Sequence, residues 1–201
     1  MHDFSTVEFP EAGFPPLPGT ETAYHRRCDR GRATMAGSRV AITGLARNLA
    51  AILPTTIARV EQLGRLFADH RVFVYENDST DDTKLLLRRW ATANRRVQVT
   101  SEDCRDPVNP TTRCLDRIGR MARYRARCQD AVREHCPDFD FTIVLDLDVS
   151  GGWSNDGIAN SFGHDAWDFI GSNGLIYRRE GLDCNALRQY DMWALRLDRK
   201  S

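Results

Sequence analysis

The chain has 201 residues, 41% hydrophobic and 28% charged, which suits one full-sized globular domain and would cramp a second. Lys+Arg and Asp+Glu both total 28, so no net field draws it toward nucleic acid or an acidic membrane surface. No apolar run approaches the roughly 20 residues that span a bilayer.

The six cysteines form no C-x-x-C pair, and no histidine lies at a zinc-like spacing from a cysteine pair. Residues 1–10 are polar and acidic, unlike a secretory leader. The expectation is a cytoplasmic protein with reduced, mostly buried thiols.

Residues 1–37 read as an extended lead-in, because Pro10, Pro15, Pro16 and Pro18, with Gly13 and Gly19, work against regular structure. Residues 39–43 form a short strand pattern ended by Gly44. From Asn48 to Phe67, Leu49, Ile52, Leu53, Ile57, Val60, Leu63 and Phe67 recur at helical steps. Pro54 either kinks that helix or starts it afresh. A second strand, 71–76, runs into the polar cluster Asn77-Asp78-Ser79-Thr80-Asp81-Asp82, where Ser79 or Thr80 caps a helix reaching about Ala93. Residues 97–100 make a third strand, 102–112 a loop with Pro107 and Pro110, and 113–135 a long arginine-rich helix. An apolar run from Phe139 then ends in Asp146-Leu147-Asp148. Beyond it lie a turn at Gly151-Gly152-Trp153, a short helix over 155–162, and strands at 167–171 and 175–177. This alternation predicts an α/β fold, a mostly parallel sheet with helices on both faces, in a single domain over 38–201.

In such a sheet the strand ends at Thr43, Tyr75 and Leu145 open onto one edge, where α/β proteins bind ligands. Three polar clusters then converge: residues 44–48, 76–82 and 146–148. Asp146 and Asp148 are hard oxygen donors suited to Mg2+ or Mn2+, ions that take remaining ligands from water and substrate phosphates. Singly, each cluster also reads as a turn or a helix cap.

Five segments resemble those of known families. Tyr75 to Thr83 is similar to the D-D-G-S-T-D-x-T signature of nucleotide-sugar glycosyltransferases with the GT-A fold, and Asp146-Leu147-Asp148 to their D-x-D metal motif. Gly44-Leu45-Ala46-Arg47-Asn48, Glu76 to Asp81, Arg117 to Arg125 and Tyr190 to Arg196 resemble, in order, segments of the fungal capsule-associated α-mannosyltransferase-like family. The resemblance implies a GT-A-like three-layer α/β/α fold and transfer of a sugar, by resemblance mannose, from a GDP- or UDP-linked donor to a glycan or other hydroxyl acceptor. It places Mn2+ or Mg2+ on Asp146 and Asp148, the donor on Arg47, Glu76, Asn77, Asp78, Arg117 and Arg125, and a catalytic or acceptor role on Asp191. An inverting reaction would need a base, for which Asp168 and Asp191 are the candidates.

The sequence departs from the family where Ala126 replaces an asparagine and where no histidine follows His164 to complete a metal site. The family continues past this segment, so the chain reads as a carboxyl-terminally truncated domain, a gene fragment, or a compact member that uses water as a metal ligand. Arg120, Arg123 and Arg127 read as a solvated face, and His2, His25, His70 and His135 as surface or satisfied histidines. Two rival readings are a catalytically incomplete nucleotide-binding module and a sugar nucleotidyltransferase. The second is disfavoured because residues 44–47 hold too little glycine to cradle a triphosphate.

Overall fold

Strand β1, Arg39–Ala46, is almost wholly buried, and its unbroken apolar run belongs to an inner strand covered on both faces. The structure, a computed structural model, describes residues 6–109, 114–171, 174–179 and 185–190. β1 lies between β2, Asp69–Asn77, and β4, Phe141–Asp146; β3, Val97–Glu102, flanks β2. All three pairings are parallel, giving the order β3-β2-β1-β4. This is the expected α/β architecture, with helices against a four-stranded parallel sheet.

The chain divides into two compact units, residues 1–164 and 165–201. The second contains an antiparallel pair, β5 (Gly174–Arg179) and β6 (Asn185–Tyr190), in which Gly174 faces Tyr190. The strand expected at 167–171 does not form: that segment is irregular and Phe169 is 86% exposed. A strand needs a ladder partner, and the ladder here starts at Gly174. β6 was not anticipated.

Alternate positions of β1 and β2 face opposite layers. Ala41 and Phe73 pack with Ala131, Val132, Cys136 and Phe139, while Leu45 and Tyr75 pack with Met121, Tyr124 and Cys128. Helix α4, Leu115–His135, therefore covers this face. The other face receives α2, Leu53–Gly64, whose Leu53, Val60 and Leu63 are fully buried. Helix α3, Thr83–Ala93, packs on α2 and β3, with Trp90 Nε1 donating to Glu61 at 2.6 Å. Pro54 occupies the first turn of α2, where its missing N–H costs nothing; residues 49–52 form turns instead of the expected helix start.

The extended lead-in is corrected over its second half. Glu21–Gly37 is a helix, α1, with Cys28, Gly31 and Met35 buried on one side. Every proline of the lead-in precedes Gly19, so the breakers end where the helix begins, and a buried stripe holding a glycine gives little apolar periodicity. α1 crosses α5, Asn155–Phe162, at backbone distance: a Cβ on Gly31 would lie 2.7 Å from the Ala159 carbonyl carbon, and one on Gly163 would lie 2.7 Å from that of Arg27. Phe162 then packs edge-on against Phe67 and Phe141.

Three of the cysteines, Cys28, Cys128 and Cys136, are buried thiols as expected, but Cys104 is exposed and Cys114 half-buried. His70 is buried against Gly64, and its Nε2 has no hydrogen-bond partner among the described residues. Burial, followed by the Arg96 charge, lowers its pKa, outweighing Glu61 and Asp69. The folded state thus favours neutral imidazole, whereas the unfolded chain takes up a proton below about pH 6.5. The contribution is complete above that pH and is lost as pH falls toward the depressed folded value. Melting temperature should therefore fall between pH 7.5 and 5, and a His70→Gln variant should show a shallower fall.

Candidate active site

Parallel register brings the carboxyl ends of the four strands level: Ala46 pairs with Glu76, Leu45 with Asp146, and Asn77 with Glu102. The expected convergence of the first, second and fourth strand ends is present, joined by the end of β3.

The loops after β1 and β2 are stitched together. Asn48 N–H donates to Ser79 Oγ at 3.0 Å, Leu49 N–H to Thr83 Oγ1 at 2.7 Å and Ala50 N–H to Asp81 Oδ2 at 2.9 Å. In return, Thr80 N–H donates to Asn48 Oδ1 at 2.8 Å. Asn48 and Asp78 hold left-handed backbones, φ 55° and 54°, which Asn and Asp tolerate better than most residues.

Glu76 is fully buried. One carboxylate oxygen accepts Ser79 N–H at 2.8 Å and the other accepts Ser101 Oγ–H. It braces the loop from within. Asn77 Nδ2 donates to Asp78 Oδ2 at 2.8 Å and to Tyr124 Oη at 3.3 Å. Asp78 also accepts Arg105 N–H at 2.8 Å and Asp106 N–H at 3.1 Å. Burial pushes its pKa up, but the Asn77 amide, the two backbone donors and the Arg47 charge outweigh that and hold it below the usual value. Arg47 spans to the segment after β3, donating to the carbonyls of Asp106 at 2.8 Å and Pro107 at 3.0 Å.

Beside this lies a polar recess lined by Tyr75, Glu102, Cys104, Asp106, Arg123, Tyr124 and Arg127, part of a cavity of about 540 Å³. Tyr75 and Tyr124 stack with centroids 5.4 Å apart. Tyr75 donates to Glu102 and Tyr124 to Asp106, each at 2.7 Å. Burial, then Asp106, pushes Tyr124 up to about 12. Arg123 and Arg127, expected to face only solvent, lie 3.6 Å from Asp106 and Glu102. Arg120 donates to Asn109 Oδ1 at 2.9 Å.

At the end of β4, strand alternation separates the acidic pair from Leu147. Asp146 points to the α4 face, where Arg125 Nη2 lies 3.3 Å from its Oδ1. Leu147 is buried on the opposite face, above Gly44, where a Cβ would lie 2.5 Å from Leu147 Cγ. Gly44 is therefore the floor on which the turn rests. Asp148 is exposed at its outer edge yet crowded by protein on its inner side; that crowding, with the Asp146 charge, raises its carboxyl pKa.

Among the described residues, two sets of side chains offer ligand atoms to a cation. Asp78, Cys104 and Asp106 bring theirs within 4.8 Å of one another. Their carboxylates, however, already accept Asn77, Arg105 and Asp106 N–H donors and the Tyr124 hydroxyl. Asp146 and Asp148 are also hard oxygen donors, and burial followed by the Asp146 charge raises the Asp148 carboxyl pKa. Both sets carry hard oxygen donors of the kind Mn2+ or Mg2+ takes, and Asp146 is itself paired with Arg125.

Of the remaining expected site residues, Arg125 reaches Asp146. Arg117 lies in the first turn of α4, its backbone N–H donating to Cys114 Sγ at 3.4 Å. Asp191 lies outside the described residues. Sequence reading missed Tyr75 and Tyr124 as the polar wall of the recess. Their signal was a tyrosine next to the buried Glu76 and another four residues before the buried Cys128.

No family model matches this chain, and no curated protein matches it. The structure is similar to that of a mannosyltransferase from Pyrobaculum calidifontis in complex with GDP-Man and Mn2+, with 17% sequence identity and a TM-score of 0.43. The match covers 76% of this chain and 42% of that one, so this chain spans less than half of that protein's length.

Proposed function

We propose that the protein is a metal-dependent glycosyltransferase that moves a sugar from a nucleotide-diphosphate donor to a hydroxyl acceptor. The observation that carries this reading is the juxtaposition of Asp146 and Asp148 at the end of a parallel strand, with Arg125 3.3 Å from Asp146. Carboxylates for a cation and a guanidinium for phosphate oxygens, at the edge where α/β folds take ligands, suit a diphosphate. Asp148 and Asp146 would hold Mn2+ or Mg2+. The bound ion would act as a Lewis acid for charge on the departing nucleoside diphosphate.

The chain's own residues bind and orient. Arg125 and Arg117 neutralise phosphate from α4. Asn77, Asp78 and Arg47 form the nucleoside side, with Glu76 bracing their loop from below. Asp191 is proposed for the acceptor side. The four-segment resemblance to the capsule-associated mannosyltransferases favours mannose and a guanine nucleotide.

Thermal shift with Mn2+ plus GDP, against Mn2+ plus UDP, tests the donor class. Stabilisation by GDP alone is the expected result. Incubation with nucleotide sugars should then release nucleoside diphosphate. Nucleotide binding without release would favour a binding module, and turnover unaffected by chelation would sink the metal-dependent reading.

A further inference from the structure

The turn that carries the acidic pair is gripped from below by α2. Thr56 Oγ1 donates to the Leu147 carbonyl at 3.3 Å and Arg59 Nη1 donates to the Ser150 carbonyl at 2.8 Å. Two residues three apart on α2, neighbours on one helix face, thus hold carbonyls three apart on the turn. Gly152, with φ 74°, lies against the guanidinium: a Cβ there would sit 2.8 Å from Arg59 Cζ.

Arg59 is 4% exposed, and burial lowers its pKa. Its guanidinium donates to main-chain carbonyls of the described residues, and two of these belong to the amino-terminal arm. Nη2 donates to Thr6 O at 2.6 Å and Nε to Val7 O at 3.3 Å. The same arm reaches the far end of the segment, where Glu11 accepts Ser154 Oγ–H at 2.6 Å and Asp156 N–H at 3.1 Å. Residues 147–156 are therefore held at one end by Arg59 and at the other by Glu11, with the arm running between.

We propose that Arg59 and the arm of residues 6–11 are positioning elements for the Asp146/Asp148 pair, an inference that rests on the metal–diphosphate reading. Arg59 acts through the Ser150 carbonyl, fixing the turn on which Asp148 is mounted. A planar fork that serves three carbonyls at once cannot be replaced by an ammonium, so Arg59→Lys loosens the turn while retaining the charge.

The test uses the full chain and two variants, Arg59→Lys and Glu11→Ala, in two measurements. Hydrogen exchange in the absence of metal should show lost protection over 147–153, with β1 unchanged. Electron paramagnetic resonance of free Mn2+ should show the ion alone binding about tenfold more weakly or worse, the usual cost of losing support behind a ligand. A residue that serves stability only would lower the melting temperature and leave Mn2+ affinity intact well below it. Unchanged Mn2+ affinity in the folded variants of a wild type that binds the ion overturns the proposal, as does unchanged exchange over 147–153. If Arg59→Lys fails to fold, Glu11→Ala decides alone. A wild type with no Asp148-dependent Mn2+ binding sinks the metal reading instead, and exchange still decides whether Arg59 positions the turn.

Discussion

Asp148→Asn is expected to cut sugar transfer roughly a hundred- to thousandfold, the scale of losing one preorganised electrostatic group at a reacting centre. The same change should leave the melting temperature unaltered or slightly higher. Crowding and the Asp146 charge raise the Asp148 carboxyl pKa, so the ionised form is held in the fold against its preference. A neutral isostere removes that repulsion. Lost activity together with retained or improved stability is the signature of a functional group, and a merely structural aspartate would give the opposite pairing. Mn2+ affinity of the wild type should also fall as pH drops toward the raised carboxyl pKa, because ion and proton compete for the same oxygens. Calorimetric titration of Mn2+ at several pH values checks this, and a flat profile would count against the assignment.

Gly31→Ala is expected to be the most damaging small substitution in the fold. Alanine would gain up to about 1 kcal/mol from helix propensity at a helix interior position. Against that, the new methyl meets the Ala159 carbonyl, a backbone group fixed within α5, and cannot be relieved by a side-chain rotation. Forcing α1 and α5 apart should cost about 2–3 kcal/mol net, or roughly 5–10 °C in melting temperature for a chain of this size. Gly119→Ala is the internal control. It too is helical, but a Cβ there meets nothing within 4 Å, so propensity acts alone and the variant should be slightly more stable. Equal effects of the two changes would remove close helix contact as the explanation.

The parts legible in the sequence were those with strong periodicity. The inner strands β1 and β2 show as apolar runs because both faces are buried, and α4 shows because Met121, Tyr124, Cys128 and Val132 recur at helical steps. α1 did not, since its contact with α5 is made through a glycine, which carries no hydropathy signal. Asp146 and Asp148 were legible because two acids end an apolar run. The inward turn of Glu76 was not. A carboxylate at a strand end reads the same whether it faces a ligand or a serine from the next strand, and only the register with Ser101 distinguishes the two. The pairing of Arg123 and Arg127 with Asp106 and Glu102 was hidden for the same reason, because those acids lie in and just after β3, whose end was read only as a loop.

The stitching between residues 48–50 and 79–83 has a consequence for how this edge tolerates change. Asn48 is donor to one loop residue and acceptor from the next, so each loop serves as the mould for the other. Asn48→Ala removes the acceptor of Thr80 N–H and Ser79→Ala removes the acceptor of the residue-48 N–H. Each should cost stability, and the double variant should cost less than their sum, since either break already loosens the contact between the two loops. Loops at 48 and 79 are then inherited as a couple. Grafting one of them alone from a related chain imports half a lock, and reshaping this edge requires both halves to be exchanged together.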